Sequence, residues 1–585
     1  MGSICIRIAG ANGDGVESSG NLLIKVASGS GLHVFGYRGY QSIIRGGHVW
    51  YQVRISDSKL HSHGDMVDIL IALNQDAINN QKSHLNDNAV IIYDPSKAST
   101  KELEGAGYTL APIPLLDMAI KTSGDPIMRN VAAIGAALRF SGMDIGIFEK
   151  VVTRMFLRKG QKVVDDNIKV ATLAYNYKGA KALYGLAGDG KQRYTMDGNT
   201  ALSIGAYAAG CKFYAAYPMT PASGILSWFA AHEGKGVMFK QTEDEIAAIN
   251  MTIGAANAGV RAMCGTSGGG FSLMTEGVGL AGMLEVPIVV VDSQRTGPST
   301  GLPTKTEQAD LLFVMHASQG EFPRIVVAPR SINECFTIGH EAFNLAERYQ
   351  CPVLVLLDLY LSEHVESVDG FDLDSLRIDR GRLVTVSAAA GAGRFKRYEI
   401  TGDGISPRAI PGTPGNEFIS SSDEHNEYGD LMSDAFAGIG EYVEIRRQMH
   451  AKRMRKVETM LKNEDIFVPG IENEGADCFL VTFGSTSGPA TEAVELLKIR
   501  GVNAGLISFN YLMPMDKEKT TAILKGKKLI DVECNFTAQL AQVIMANTGI
   551  GINDRILKYD GEAITPEEIA DKAMELIKKH GWHNV

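Results

Sequence analysis

A chain of 585 residues with 64 glycines, 45% hydrophobic residues and only 21% charged ones is long enough for about four domains of ordinary size and too apolar to be disordered. Its net charge of −10 argues against nucleic acid as the main partner, because phosphate recognition needs a dense positive face that this sequence supplies nowhere at length. The seven cysteines, at 5, 211, 264, 335, 351, 478 and 534, form no CxxC, so they fit a reducing compartment and offer no local zinc or iron–sulfur ligand set.

In chain order, the first 185 residues alternate short apolar runs with amphipathic stretches: ICIRIA at 4–9, MVDILIAL at 66–73, AVIIYD at 89–94, then helical patterns from Asn130. That is the rhythm of a layered βα domain. A polar, glycine-bearing bridge at 185–198 reads as a linker, after which the rhythm restarts: strands are predicted at 212–216, 260–264, 287–292, 324–328 and 352–358, and helices at 199–210, 242–259 and 271–284. Residues 366–428 are irregular and dense in turn formers, the signature of a functional or wrapping arm. A charged helix over about 430–463 leads to a third alternation of strands (478–485, 502–507, 529–534) and helices (488–500, 516–524, 537–547). The fold class expected is therefore α/β, with three α/β domains over 1–190, 191–430 (arm included) and 470–585, and a helical connector at 431–469. The most apolar runs, such as 353–361 with Asp358 inside, are too short to span a membrane, and the N-terminus lacks a signal-peptide pattern, so the chain reads as soluble and cytoplasmic.

The first strand runs into GANGDG at 10–15 and then a helix, the arrangement of a backbone amide cradle. The dinucleotide fingerprint nevertheless fails: Ser18 stands where its third glycine would be, and no Asp or Glu occurs from Ser18 to Ser56. That acid-free stretch carries Arg38, Arg54 and RGG at 45–47 followed by His48, so Arg45 and His48 are candidate partners for a carboxylate or phosphate, against the alternative of a solvated basic face. The HxH pair His61 and His63 reads as surface, since two histidines without a third ligand are weak evidence for metal.

Three segments at successive strand ends look chemical. YPMTPAS at 217–223 brackets Thr220 between Pro218 and Pro221, placing a hydroxyl on a fixed loop at the carboxyl end of the sheet. QTEDEIAAINMTIGAANAG at 241–259 contains Glu245, which has the T-x-x-E spacing of a capping box with Thr242; yet the small and apolar residues after it imply close packing, where a carboxyl can share a proton with a bound heterocycle. CGTSGGGFSLMTEG at 264–277 offers the hydroxyl of Ser267 and the amide of Gly268 at a helix start, and VVVDSQRTGPSTGLPTKTEQADL at 289–311 offers Arg295 and a donor-rich loop that includes Thr304. Together they converge on an anionic organic substrate.

These motifs, with GLAGMLEVP at 279–287 and PVLVLLDLYLSE at 352–363, closely resemble the α subunit of 2-oxoacid:ferredoxin oxidoreductases, in particular the 2-oxoglutarate branch with a fused N-terminal γ domain. The resemblance covers essentially the whole chain: residues 1–185 resemble the γ domain, the centre a thiamine diphosphate pyrimidine-binding domain, and 470–585, with Gly484-Ser485 and VECNFTAQL at 532–540, a transketolase C-terminal-like domain. It implies that Glu245 hydrogen-bonds N1′ of the aminopyrimidine and promotes loss of the C2 proton, with Pro218, Ser267 and Gly268 around the cofactor. It also implies that Thr220 and Arg295 hold the 1-carboxylate and 2-oxo group of the substrate, supported by the loop of Thr304, and that coenzyme A takes the acyl group.

The GDG-to-Asn-Asn pattern that binds diphosphate and magnesium is missing, although GDG itself occurs at 13, 188 and 402. The resemblance accordingly assigns the diphosphate site, Mg²⁺ and a 4Fe-4S cluster to a β subunit, in an (αβ)₂ heterotetramer that passes electrons to ferredoxin. A 2-oxodicarboxylate needs a second cation, for which Arg45, His48, Arg408 and His425 are candidates. Pyruvate or a branched-chain 2-oxoacid remains an alternative substrate. A non-catalytic assembly subunit and a nucleotide-dependent dehydrogenase are the alternative classes.

Overall fold

The computed structural model describes residues 2–43, 46–386, 393–435 and 438–582. It divides into two compact units, one of Met1–Asp197, His364–Gly370 and Thr565–Glu567, the other of Gly198–Glu363, Phe371–Ile564 and Glu568–Val585. The α/β class expected from the rhythm is what the structure has.

The first unit is built on an eight-stranded sheet in the order Thr109–Pro112, Leu85–Tyr93, Val67–Ala72, Ser3–Asn12, Gly46–Ser56, His33–Gly39, Val365–Val368, Tyr194–Asp197. Strand Ser3–Asn12 is central and almost wholly buried, because Ile4, Ile6 and Ile8 meet a helical layer that includes Val16–Gly29 and Arg129–Ser141 while Ala9 faces a second, smaller core. The glycine loop that follows is filled from within. Asp14 accepts a hydrogen bond from the Ala11 N–H (2.9 Å) and pairs with Arg129 (2.8 Å), and Asn130 donates to the Asp14 carbonyl (2.6 Å). The expectation that His61 and His63 are surface residues fails for His63, which is 6% exposed; its carbonyl accepts from Gln52 Nε2 and its ring lies 5.0 Å from that of Tyr37.

The second unit carries a seven-stranded sheet in the order Tyr511–Met513, Ile325–Val327, Val353–Asp358, Val289–Gln294, Ala262–Thr266, Phe213–Ala216, Met238–Gln241, parallel except for the first strand. A five-stranded sheet, in the order Gly470–Glu472, Ala504–Phe509, Cys478–Phe483, Leu529–Glu533, Asp554–Leu557, belongs to the same unit, and one apolar core runs through both: Ile249, Phe271, Val290 and Leu354 are continuous with Phe479, Val481 and Ile507. The inner strands Ala262–Thr266, Val289–Gln294, Val353–Asp358, Cys478–Phe483 and Ala504–Phe509 are buried on both faces, which is why they read as continuous rather than alternating.

The irregular arm is held by buried charge rather than by a sheet. Among the described residues of 369–435 the strand pairing is limited to Leu383–Val384 with Arg408–Ala409 and a single antiparallel bridge between His425 and Leu431. Three arginines converge on Glu347 of helix Ile332–Tyr349: Arg261 (2.8 Å), Arg380 (2.6 Å) and Arg408. A second cluster centres on Glu285, which is fully buried between Lys452 and Lys456 of helix Ile439–Asn463, each 2.6 Å away, while Arg397 donates to the Glu285 carbonyl (2.8 Å). Burial raises the Glu285 pKa, but the charges of Lys452, Lys456 and Arg397 outweigh it and hold the carboxyl well below the usual carboxylate range.

Candidate active site

In the seven-stranded sheet the chain passes from Phe213–Ala216 outward to Met238–Gln241 and then returns to the other side of Phe213–Ala216 as Ala262–Thr266. The direction of winding reverses between these two strands, and parallel sheets bind ligands in the crevice beyond the carboxyl ends at such a point. Loop 217–222 leaves from one strand, the Thr266–Gly270 turn from the other, and Arg295 follows the next strand, Val289–Gln294.

Glu245 opens helix Glu245–Asn257. The capping box expected of Thr242 and Glu245 does not form: the N-cap is Asp244, whose carboxylate accepts from the Ala247 N–H (2.8 Å), while the Thr242 hydroxyl donates to the Asp244 carbonyl (2.8 Å). An ionised carboxylate is the better acceptor for an end N–H, so the aspartate takes the cap and Glu245 is left free to turn inward. Glu245 is 4% exposed, and its Oε1 has no hydrogen-bond partner among the described residues. A carboxylate oxygen in that situation costs free energy unless something else completes it.

The glycine turn explains where that oxygen sits. A Cβ built on Gly270 would fall 2.5 Å from Glu245 Oε1, 2.8 Å from its Cγ, and closer still to Thr266 Oγ1. One built on Gly268 would fall 2.9 Å from the carboxyl carbon of Asp310. Gly269, by contrast, is exposed and a Cβ there would meet nothing within 4 Å. Gly270→Ala is therefore expected to destabilise the fold by about 1–3 kcal/mol through overpacking, whereas Gly269→Ala gains helix propensity and should be neutral or stabilising. Thermal denaturation of the two variants side by side checks this. Ser267, the N-cap of the helix, is fully buried, and its hydroxyl also finds no partner among the described residues.

On the other side of the crevice, Arg295 donates from Nη1 to the Thr220 carbonyl (2.9 Å), so these two candidate residues do come together. Pro218 is exposed at the start of the same loop, which Asn199 braces from below by donating to the Pro221 carbonyl (3.0 Å). Arg295 begins a strap that folds back on itself: Thr296 N–H donates to the Lys305 carbonyl (3.0 Å), and Leu302 N–H to the Thr296 carbonyl (3.1 Å), with half-buried Thr304 just before the closing residue. Glu307 accepts from the Gly297 N–H (3.1 Å), and burial lifts its pKa.

Of the remaining candidates, Arg45 lies outside the described residues. His48 is in the first unit and is hydrogen-bonded to Gln81 (Nε2–Nε2 2.6 Å); burial lowers its pKa, which favours the neutral ring. Arg408 is 4% exposed and committed to Glu347, and His425 is wholly buried, its Nδ1 2.8 Å from the Asp423 carbonyl and its ring against Tyr398. Neither Arg408 nor His425 is available to a substrate. Sequence reasoning missed Asp292 and Asp310. An aspartate inside the apolar strand VVVDSQ was the available signal, since a buried charge in a strand needs a reason.

Comparison with known proteins gives the family. Residues 204–444 match the thiamine diphosphate-binding domain of pyruvate flavodoxin/ferredoxin oxidoreductases, 5–177 match pyruvate ferredoxin/flavodoxin oxidoreductase, and 476–569 match pyruvate:ferredoxin oxidoreductase core domain II. The 2-oxoacid:ferredoxin oxidoreductase subunit alpha of Saccharolobus solfataricus is 33% identical over 98% of this chain and 97% of its own length. The chain belongs to the α subunits of 2-oxoacid:ferredoxin oxidoreductases. Within that family, the 2-oxoglutarate synthase subunit KorA of Methanothermobacter marburgensis is 34% identical over 66% of this chain and 99% of its own. A solved 2-oxoglutarate:ferredoxin oxidoreductase from Magnetococcus marinus, with 2-oxoglutarate, coenzyme A and succinyl-CoA bound, superposes with a TM-score of 0.91 at 32% identity, covering 99% of this chain and 100% of that one. No helix among the described residues of this oxidoreductase subunit is long and apolar enough to cross a membrane.

Proposed function

We propose that this chain is the α subunit of a 2-oxoglutarate:ferredoxin oxidoreductase, interconverting 2-oxoglutarate plus coenzyme A with succinyl-CoA plus CO₂ while two electrons pass to or from ferredoxin. The observation that carries this reading is the whole-chain likeness to the Magnetococcus marinus enzyme, whose structure holds those substrates.

The residues present fit the pyrimidine half of thiamine diphosphate. Glu245 brings a buried carboxylate with one unpartnered oxygen to the carboxyl-end crevice, and in the turn beside it Gly269 is exposed, with nothing within 4 Å of where its β-carbon would stand. Bound there, the cofactor supplies a carbon nucleophile and an electron sink for decarboxylation. Glu245 holds a proton at a ring nitrogen, and its burial keeps competing water away from that bond. Ser267 and the Gly268 amide line the cofactor, with Pro218 on the facing loop. Arg295, oriented through the Thr220 carbonyl, brings its guanidinium to the 1-carboxylate; the Thr220 hydroxyl serves the 2-oxo group, and Thr304 stiffens the strap behind them.

The rest of the catalytic apparatus belongs, on this reading, to a β subunit with the diphosphate site, Mg²⁺ and a 4Fe-4S cluster, in an (αβ)₂ assembly. It is supported by the α-subunit names of the relatives and by the cysteines, all seven of them buried and none in a disulfide. An acidic ferredoxin would dock on that partner rather than on a chain of net charge −10.

Co-expression with the β partner should restore coenzyme A-dependent reduction of ferredoxin or methyl viologen by 2-oxoglutarate, and this chain alone should be inactive. Equal kcat/KM for pyruvate in the same assay would overturn the substrate assignment.

A further inference from the structure

The strap that carries Arg295 and the glycine turn that carries the cofactor side of the site are separate in sequence, yet one residue touches both. The Asp310 N–H donates to Gln294 Oε1 (3.0 Å), and Gln294, 1% exposed, is itself fixed by donating to the Leu357 carbonyl (3.0 Å). This bond closes the root of the strap across its two ends, because Gln294 immediately precedes Arg295. The carboxyl of Asp310 lies directly against Gly268, in space that any β-carbon at 268 would claim. Two residues further on, Gly270 leaves no room between Thr266 and Glu245. The path from Arg295 to Glu245 thus runs Gln294, Asp310, Gly268, Gly270, through the Gln294 amide, the Asp310 carboxyl and the close packing of the glycine turn.

We propose that Asp310 is a positioning residue that couples the substrate-holding strap to the glycine turn on which Glu245 rests. Its backbone sets where Arg295 begins, and its side chain sets where the helix Gly268–Leu284 begins. It touches neither substrate nor cofactor. The proposal rests on the functional reading above for the identity of the two ligands, and on the contacts alone for the coupling.

A second carboxyl stands behind it. Asp292 is 2% exposed, neither of its oxygens has a hydrogen-bond partner among the described residues, and it is paired in register with Thr266. Burial, reinforced by the charge of Asp310, pushes Asp292 well above the usual carboxylate range, and burial with the charge of Glu307 lifts Asp310 to about 6. Carboxyls so placed do not all ionise near neutral pH. Gly268 has no side chain to pair with, so the contact of Asp310 with it is one of shape, and asparagine, which has that shape, should replace it.

The test is made on the complex with its partner subunit, with three readouts: KM and kcat for the 2-oxoacid, Kd for thiamine diphosphate by titration of the cofactor-free complex, and the thermal midpoint. Asp310→Ala keeps the N–H that bonds Gln294 but removes the carboxyl that seats this backbone against Gly268, so it is expected to raise KM and the cofactor Kd together, each about tenfold, the size of coupling seen between residues in direct contact. Asp310→Asn should restore both to within about twofold, while Glu307→Ala, which loosens only the strap, should raise KM and leave the cofactor Kd alone. If Asp310→Ala fails to assemble, Asp310→Ser, too short to reach Gly268, is read in its place with the same expectations. An alanine or serine variant that loses thermal stability while both constants stay at wild-type values overturns the proposal, as does an asparagine variant as impaired as alanine. Failure of the substrate reading is separate: pyruvate would then be the better substrate of the wild-type complex, and the joint shift of KM and Kd would be read with pyruvate.

Discussion

Glu245→Gln is expected to lower coenzyme A-dependent turnover by about 10²–10⁴-fold, the range lost when a positioned proton-transfer group is removed. The fold should be unaffected. Glutamine matches glutamate in size, so the crevice beside Thr266 and Gly270 stays filled, and the helix keeps its cap because Asp244, not Glu245 or Thr242, accepts the end N–H. What changes is the group offered to the ligand: an amide cannot share a proton with a ring nitrogen as a carboxylate does. The comparison variant is Asp244→Ala, which removes the cap and should cost about 1 kcal/mol of stability with a much smaller effect on turnover. Steady-state kinetics and a thermal melt on both variants separate the two roles. Unchanged turnover in Glu245→Gln would remove this residue from the mechanism.

The second large effect concerns stability. Glu285→Gln leaves Lys452, Lys456 and the Arg397 guanidinium buried around a neutral amide, and breaking a buried ion pair from one side costs about 3–5 kcal/mol, because the surviving charges lose their counter-charge in a medium that solvates them poorly. For a unit of this size the midpoint of thermal unfolding should fall by about 5–10 °C. Glu285 sits at the end of helix Gly268–Leu284, so the loss should be felt where that helix meets the long helix Ile439–Asn463 and the arm. The control is Glu444→Gln, which removes an exposed pair with Arg447 on the same long helix and should leave the melt unchanged. Differential scanning calorimetry of the two variants decides it, and equal midpoints for Glu285→Gln and wild type would show that the cluster contributes no net stability.

Much of the site was legible from local pattern. Strand periodicity and turn chemistry act over a few residues, so YPMTPAS, TSGGG and SQRTG could each be placed just beyond a strand, and a parallel sheet puts such loops on one edge. That is why Thr220 and Arg295 could be singled out together, and the structure brings them within one hydrogen bond. The identity of the cap could not be read this way. Thr242, Asp244 and Glu245 all suit a helix start, and only the path of the chain out of strand Met238–Gln241 selects the aspartate and turns the glutamate inward.

Long-range partners were beyond reach for a related reason. Arg408 and His425 looked like free cations because sequence shows charge but not the counter-charge that meets it; Glu347, 61 residues from Arg408, is what withdraws it from the surface. Asp310 looked like one more polar residue in a loop, and its contacts with Gln294 and Gly268 exist only once the sheet is assembled.

By itself, then, the sequence determined the α/β class, the strand ends where chemistry is concentrated, and the residue types offered there, because these follow from backbone periodicity and side-chain chemistry over short distances. Only the tertiary structure decided which of those residues are free to act and which are spent on each other. Burial and pairing are properties of segments brought together from far apart in the chain, and a carboxylate such as Glu245 differs from one such as Glu285 in nothing but what the fold places against it.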